Sequence, residues 1–257
     1  MPGQRNSHPE PSTILFAGGC HVLGFPVGEE NSFPTLVQRQ LSSDGVCSRV
    51  ELLPYLLIRQ HGRLIEKCRE TRPDVLVLQL GHFELSRRIS IHVRSMCGLS
   101  GTSPNSKDSM IQAAVGDSIA LFHLKSRIKW AVDCCLGHPL VDFQSLETLW
   151  EQLFERLSEC HVPTIVLMSP LPCADPTAMY YRKRALPLFE RMARQHRAEF
   201  VDLLSTPRKP QRHYGADYLY YDAVHLGIPG QHAAAAVLAP RLRSILEGLP
   251  APSKVLR

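Results

Sequence analysis

The chain has 257 residues, 44% hydrophobic and 21% charged, with a formal charge of +5 at neutral pH. That balance suits one large folded domain spanning 1–257 and excludes a fibrous or wholly disordered chain. The first twelve residues hold no apolar stretch of signal-peptide length and no later run reaches the roughly 18 to 20 apolar residues of a membrane span, so a cytoplasmic protein with no membrane span is expected.

Strand-like and helix-like segments alternate along the chain. Thr13 to Ala17 is the first apolar run and stops at Gly18-Gly19-Cys20. A helix over about Ser32 to Leu41 follows, then a strand over Arg49 to Leu53 and a helix over Leu57 to Glu70. The third strand, Val75 to Leu80, ends at Gly81-His82-Phe83. An insertion over about 85–143 comes next; its Ser95 to Ser109 stretch reads as a loop, and Met110 to Leu136 carries Leu121, Leu124, Ile128 and Val132 on one helical stripe. The helical character runs from about Ser106 to Cys160. Strands over Thr164 to Met168 and Phe200 to Leu203 flank a helix over Met179 to Arg197, and a last helix starts at Pro229 and runs to about Leu246. Residues 1–11 and 249–257 are expected to be flexible.

Apolar runs with few polar interruptions suit parallel strands covered on both faces. The predicted fold is therefore α/β, a doubly wound three-layer sandwich with a five-stranded parallel sheet. Ligands in such sheets sit beyond the carboxyl ends of the strands, where Gly19-Cys20 and Gly81-His82 both fall.

The positive charge does not mark a nucleic-acid binder. Basic residues are spread along the chain, and the densest groups, Arg182-Lys183-Arg184 and Arg208-Lys209 with Arg212, read as solvated faces. These charges could also steer an anionic partner, a phosphopantetheine carrier or a coenzyme A ester. The eight cysteines are scattered and contain no Cys-x-x-Cys, so reduced thiols are expected, with no metal site and no cofactor.

Chemistry concentrates at two distant places. Cys20 follows a strand and two glycines, and Asp222-Ala223-Val224-His225 places a carboxylate three residues ahead of an imidazole just before a helix. A nucleophile, a base and an orienting acid are the parts that activated-nucleophile catalysis needs. Each also has a structural alternative: Cys20 as a small residue ending a core strand, His225 as a helix-start histidine with structural hydrogen bonds.

Ile14 to Gly24, Pro73 to Glu84 and Tyr221 to Leu226 with Gly230-Gln231-His232 resemble the first, third and last blocks of the SGNH/GDSL hydrolases. Ser169-Pro170-Leu171-Pro172 and Val201-Asp202-Leu203 are also typical of that family. The resemblance covers nearly the whole chain apart from the insertion, and it implies a flavodoxin-like sheet and an acyl-ester hydrolase. It departs at three places. Gly19 and Cys20 stand where the family has Asp and the nucleophilic Ser, Phe83 stands where its oxyanion-hole Asn should be, and the glycine of its second block falls near Pro54-Tyr55. Proline has no N–H to donate, and loss of one oxyanion donor costs about 10² to 10³ in turnover; His82 or His21 is a substitute donor by adjacency. Gly116-Asp117-Ser118 spells part of the family name but lies in a helix-like stretch with no strand before it, so Ser118 is set aside.

The expected catalytic residues are thus Cys20, His225 and Asp222, with Gly19, His21, Gly81, His82 and Phe83 lining the substrate. The substrate is a small-molecule acyl ester or thioester, on coenzyme A or a carrier protein in one version, passed to water or another acceptor. The insertion serves as a lid or as a packing and dimer element. Two other functions stay open: a catalytically degenerate binding or scaffold protein, and a cyclase or condensing enzyme acting on a carrier-bound acyl chain.

Overall fold

A computed structural model describes residues 11–85, 87–89, 137–139, 141–205, 219–222 and 224–249. Its main sheet has five parallel strands: β1 (Ser12–Gly18), β2 (Ser48–Leu53), β3 (Val75–Gln79), β6 (Thr164–Met168) and β7 (Glu199–Val201), in the order β2-β1-β3-β6-β7. A separate antiparallel pair joins β4 (Arg87–Ile89) to β5 (Gly137–Pro139).

Alternation along the central strands makes the three layers. Leu15, Ala17, Leu76 and Leu78 face α2 (His61–Thr71), α3 (Phe143–Ser158) and α4 (Pro176–Gln195). Ile14, Phe16, Val75 and Val77 face α1 (Phe33–Ser43) and α5 (Ile228–Gly248). All eight strand side chains are fully buried, which is why the runs read as continuously apolar. The strand order reverses between β1 and β3, so a crevice opens beyond their carboxyl ends. The three-layer α/β architecture agrees with the sequence pattern.

Local signals set the helix starts. Ser32 Oγ accepts the Thr35 N–H at 3.3 Å and Pro34 sits in the first turn of α1, whose Phe33, Val37 and Leu41 bury at helical spacing. Asp142 caps α3 in the same manner, and Leu146, Trp150, Leu153 and Leu157 form its buried stripe. α4 starts at Pro176, three residues before the predicted Met179, because Asp175 Oδ1 accepts the N–H groups of Thr177 and Ala178, both at 2.9 Å.

Several boundaries differ from expectation. The segment from Leu57 begins as a 3-10 turn, Ile58–Gln60, before α2, because the Glu84 carboxylate takes the Ile58 N–H at 2.7 Å and Gln60 Oε1 takes that of Leu57 at 3.0 Å. β7 ends at Val201 rather than Leu203: Ser169 Oγ accepts the N–H groups of Leu203 and Leu204, and Asp202 Oδ1 those of Leu204 and Ser205, which turns the chain off the sheet. Of the helical region expected from Ser106 to Cys160, α3 is the described part. The stripe from Leu121 to Val132, Gly116-Asp117-Ser118, Cys97, Cys134, Cys135, Arg208, Lys209 and Arg212 lie outside the described residues, as do nearly all of the two termini. No helix among the described residues is long and apolar enough to cross a membrane.

Candidate active site

The crevice is built first by what β1 and β3 do at their ends. Gly19 N–H donates to the Gln79 side-chain oxygen at 3.1 Å, so the Gln79 amide nitrogen is left to donate to His82 Nδ1 at 2.9 Å. A Cβ on Gly19 would lie 2.8 Å from His82 Cε1. Absence of a side chain at Gly19 is therefore what lets the buried His82 ring settle beside the residue that precedes Cys20. His82 follows Gly81, whose φ of +81° makes the turn off β3 without strain.

Beyond Gly19 the chain enters a 3-10 turn, Cys20–Leu23. The first N–H groups of such a turn have no carbonyl partner inside it. Cys20 is partly exposed and its thiol is free. The buried His21 accepts the Leu226 N–H on Nε2 at 3.3 Å, so its neutral ring carries the proton on Nδ1, which lies 3.8 Å from Cys20 Sγ. The same hydrogen bond ties the turn to the other end of the chain.

That other end is a tight loop. Tyr220 bridges Leu226, Tyr221 N–H donates to the His225 carbonyl at 3.0 Å, and Gly227 N–H donates to Leu219 O at 2.9 Å. Asp222 organises it: Oδ1 accepts the N–H groups of Val224 and His225, each at 2.8 Å, while Oδ2 bonds His225 Nδ1 at 2.8 Å. One carboxylate thus fixes both the backbone and the ring of His225, which is why the acid must stand three residues ahead of it. α5 anchors the loop, with Gln231 Oε1 accepting the Phe33 N–H at 3.0 Å.

Three imidazoles meet here. The His21 ring centroid is 5.4 Å from that of His225 and 5.9 Å from that of His82, and Phe25 packs edge-on against His225 at 5.0 Å. Burial alone would lower the His225 ring, but hydrogen bonds to Asp222 and Cys20, with the charges of both, outweigh it and push it up to about 9. Asp222 is likewise raised by burial, and the bonds from His225 and Val224 more than reverse this, holding the carboxyl below its ordinary value. His82 is pushed down to about 3, and His21 well below its usual range, by burial first and by neighbouring positive charge second. Two of the three rings are therefore neutral at pH 7 and one is charged.

Of the residues singled out from sequence, Cys20, Asp222, His225, Gly19, His21 and His82 come together at this rim. Gly81 lies against Phe189 and Trp150 of the helical layer, where a Cβ would be 2.9 Å from the Phe189 ring. Phe83 is 41% exposed. Gln79 and Phe25 were not anticipated, and Tyr55 was singled out only as falling, with Pro54, near the place of the family's second-block glycine. Tyr55 has φ of +56° and its phenol is raised by burial and then by Cys20; the glycine-like conformation sits at Tyr55, which keeps its N–H, rather than at Pro54. Arg182 corrects another expectation: it is buried instead of lying on a solvated face, while Lys183 and Arg184 are exposed. Among the described residues no group of three His, Cys, Asp or Glu side chains is spaced to hold a metal ion.

No protein-family model matches the chain, and no curated protein does. Solved structures share its fold. The chain is similar to a lipase/acylhydrolase from Enterococcus faecalis, at 15% identity and a TM-score of 0.55, over 91% of this chain and 96% of that one. It is similar to the psychrotrophic esterase EstA from Pseudoalteromonas sp., at 12% identity and a TM-score of 0.57, over 92% and 100%. A protein assigned to the lipolytic G-D-S-L family from Desulfitobacterium hafniense matches at 11% identity and a TM-score of 0.52, over 89% and 98%.

Proposed function

We propose that the chain is an acyl-processing enzyme, a hydrolase or acyltransferase acting on an ester or thioester, with Cys20 as nucleophile, His225 as acid and base, and Asp222 holding the His225 ring. The observation that carries this is the meeting of the 2.8 Å Asp222–His225 bond and the Cys20 side chain on one imidazole, from positions 205 residues apart in sequence. The esterases and acylhydrolases that share the fold support the same chemistry.

In this mechanism the proton shared by Cys20 and His225 rests on the His225 ring, and the Cys20 sulfur attacks the acyl carbonyl as the thiolate to form a tetrahedral oxyanion. Collapse breaks the bond to the alcohol or thiol, which leaves with the proton from His225. Water or an acceptor then adds to the acyl-Cys20 thioester with His225 taking its proton, and the sulfur departs. A ring raised to about 9 holds the proton beside the thiolate at pH 7 and delivers it to the leaving group. The hydrogen bond to Asp222 keeps Nδ1 protonated and aims Nε2 at the reacting atoms.

Three donors answer the missing asparagine. They are the Cys20 N–H at the start of its turn, the Tyr55 N–H, and His82 Nε2–H. The last follows from the relay at Gln79: a neutral His82 that accepts on Nδ1 carries its proton on Nε2, the nitrogen beside Gly19. The free thiols Cys20, Cys47, Cys68 and Cys160 suit a reducing compartment such as the cytoplasm. A coenzyme A or carrier-bound thioester fits a thiol nucleophile because sulfur-to-sulfur acyl exchange is nearly balanced.

The test is incubation with p-nitrophenyl acetate and with acyl thioesters of N-acetylcysteamine, followed by intact-mass detection and peptide mapping. A single acyl adduct on Cys20, absent in Cys20→Ala, is expected. No adduct in the wild type, or turnover unchanged in Cys20→Ala, overturns the proposal and leaves a binding protein on this fold.

A further inference from the structure

Arg182 reaches from α4 to the carboxyl end of β6 with 3% of its surface exposed. One terminal nitrogen donates to the Leu171 carbonyl, two residues after Ser169. Its Nε is buried and has no hydrogen-bond partner. Among the described residues no carboxylate pairs with it. A guanidinium carries a full charge and five N–H donors, and buried charges are paired in nearly all folded proteins because an unpaired one is strongly unfavourable. A carbonyl oxygen satisfies one donor and neutralises nothing.

Its surroundings belong to the candidate active site. After burial and the other imidazoles, the Arg182 charge is among the causes that keep His21 down, and after burial it is the next cause at His82. Those rings are neutral, and the Asp222 carboxylate is already occupied by His225 and two backbone N–H groups. Among the described residues the rim thus holds a buried guanidinium, at the carboxyl end of β6 and felt by His82 and His21, with no carboxylate paired to it. No catalytic step above uses it.

We propose that Arg182 recognises an anionic group of the substrate, a carboxylate or phosphate held a few bonds from the scissile acyl carbonyl. This rests on the acyl-transfer reading of Cys20, and it narrows that reading to charged acyl compounds. A planar guanidinium binds either anion through paired N–H donors, and binding it there discharges the burial penalty only when the right substrate arrives.

Two sources of the anion are separated by the design of the experiment. The first arm compares succinyl with butyryl thioesters of N-acetylcysteamine, which places the charge on the acyl group. The second compares butyryl thioesters of N-acetylcysteamine and of phosphopantetheine, which places it on the leaving group. The expected result is at least a tenfold faster acylation of Cys20 by the charged member of one arm. In Arg182→Met that ratio falls to within threefold of one, and Arg182→Lys, which keeps a charge but loses the planar fork, retains part of it. Equal rates in both arms of the wild type, or a preference that survives in Arg182→Met, overturns the proposal. Absence of acylation by any thioester would instead remove the covalent mechanism. Calorimetric titration with succinate and with inorganic phosphate then decides the Arg182 site by itself: saturable binding lost in Arg182→Met supports it, and no binding to the wild type overturns it.

Discussion

His225 folds into surroundings that favour its charged form, and this gives the site a pH signature. Its ring is raised to about 9 against an ordinary value of 6.5, so its contribution to stability is complete below about pH 6.5 and fades as pH rises through about 9. That shift corresponds to on the order of 3 kcal/mol. The denaturation midpoint of the wild type should fall between pH 7 and pH 10 by more than that of His225→Gln; parallel curves would contradict this account of the ring. Asp222 works in the opposite sense, stabilising above its ordinary range and losing that contribution on acidification. His82 supplies a second prediction. If its Nε2–H replaces the lost asparagine, His82→Ala lowers turnover by about 10² while acylation of Cys20 remains detectable by mass. Turnover within a factor of two of wild type would remove His82 from the oxyanion site. At this scale Cys20, Asp222 and His225 were legible because the acid and base lie three residues apart and the thiol ends a marked strand. Gln79 and the conformation of Tyr55 were not, since the bond from Gly19 to Gln79 spans 60 residues and a positive φ at a tyrosine leaves no mark in composition.

Secondary elements carry the site through their ends. β1 stops at glycines because the space beside Gly19 is filled by His82, with 2.8 Å between the ring and a would-be Cβ. Gly19→Ala should therefore displace His82 and cut Cys20 acylation at least tenfold without unfolding the sheet; thioester acylation followed by mass, with circular dichroism as the folding control, checks it, and wild-type acylation would show that the approach is unimportant. The start of α5 was legible because Pro229 sits in its first turn, where a missing N–H costs nothing. The start of α4 was placed late because Asp175-Pro176 follows a proline-rich stretch that reads as loop. Its cap is buried, and Asp175→Ala should destabilise the protein by about 1 kcal/mol in a thermal melt. β7 ended early for a reason that spacing cannot reveal: the hydroxyl of Ser169, just past the end of β6, captures the N–H groups that would have continued it.

The whole molecule is legible where burial on both faces forces apolar runs. All five strands of the main sheet were legible from such runs, whereas their order, with the reversal between β1 and β3 that opens the crevice, is seen only in the folded sheet. The β4–β5 pair was not anticipated, because two three-residue strands joined across 47 intervening residues leave too little local pattern to read. Global folding is what unites the site, since the Leu226 N–H to His21 bond and the Phe33 to Gln231 bond fasten the last loop to the first turn over sequence separations of 205 and 198. The central claim is that this closure makes one thiol chemically different from the others. The direct measurement is the rate of iodoacetamide alkylation at Cys20 relative to exposed Cys47 in the same molecule at pH 7, resolved by peptide mass. The account predicts that Cys20 reacts at least ten times faster than Cys47 and that His225→Ala abolishes the difference. Equal rates at the two cysteines, unchanged by loss of the histidine, would contradict it.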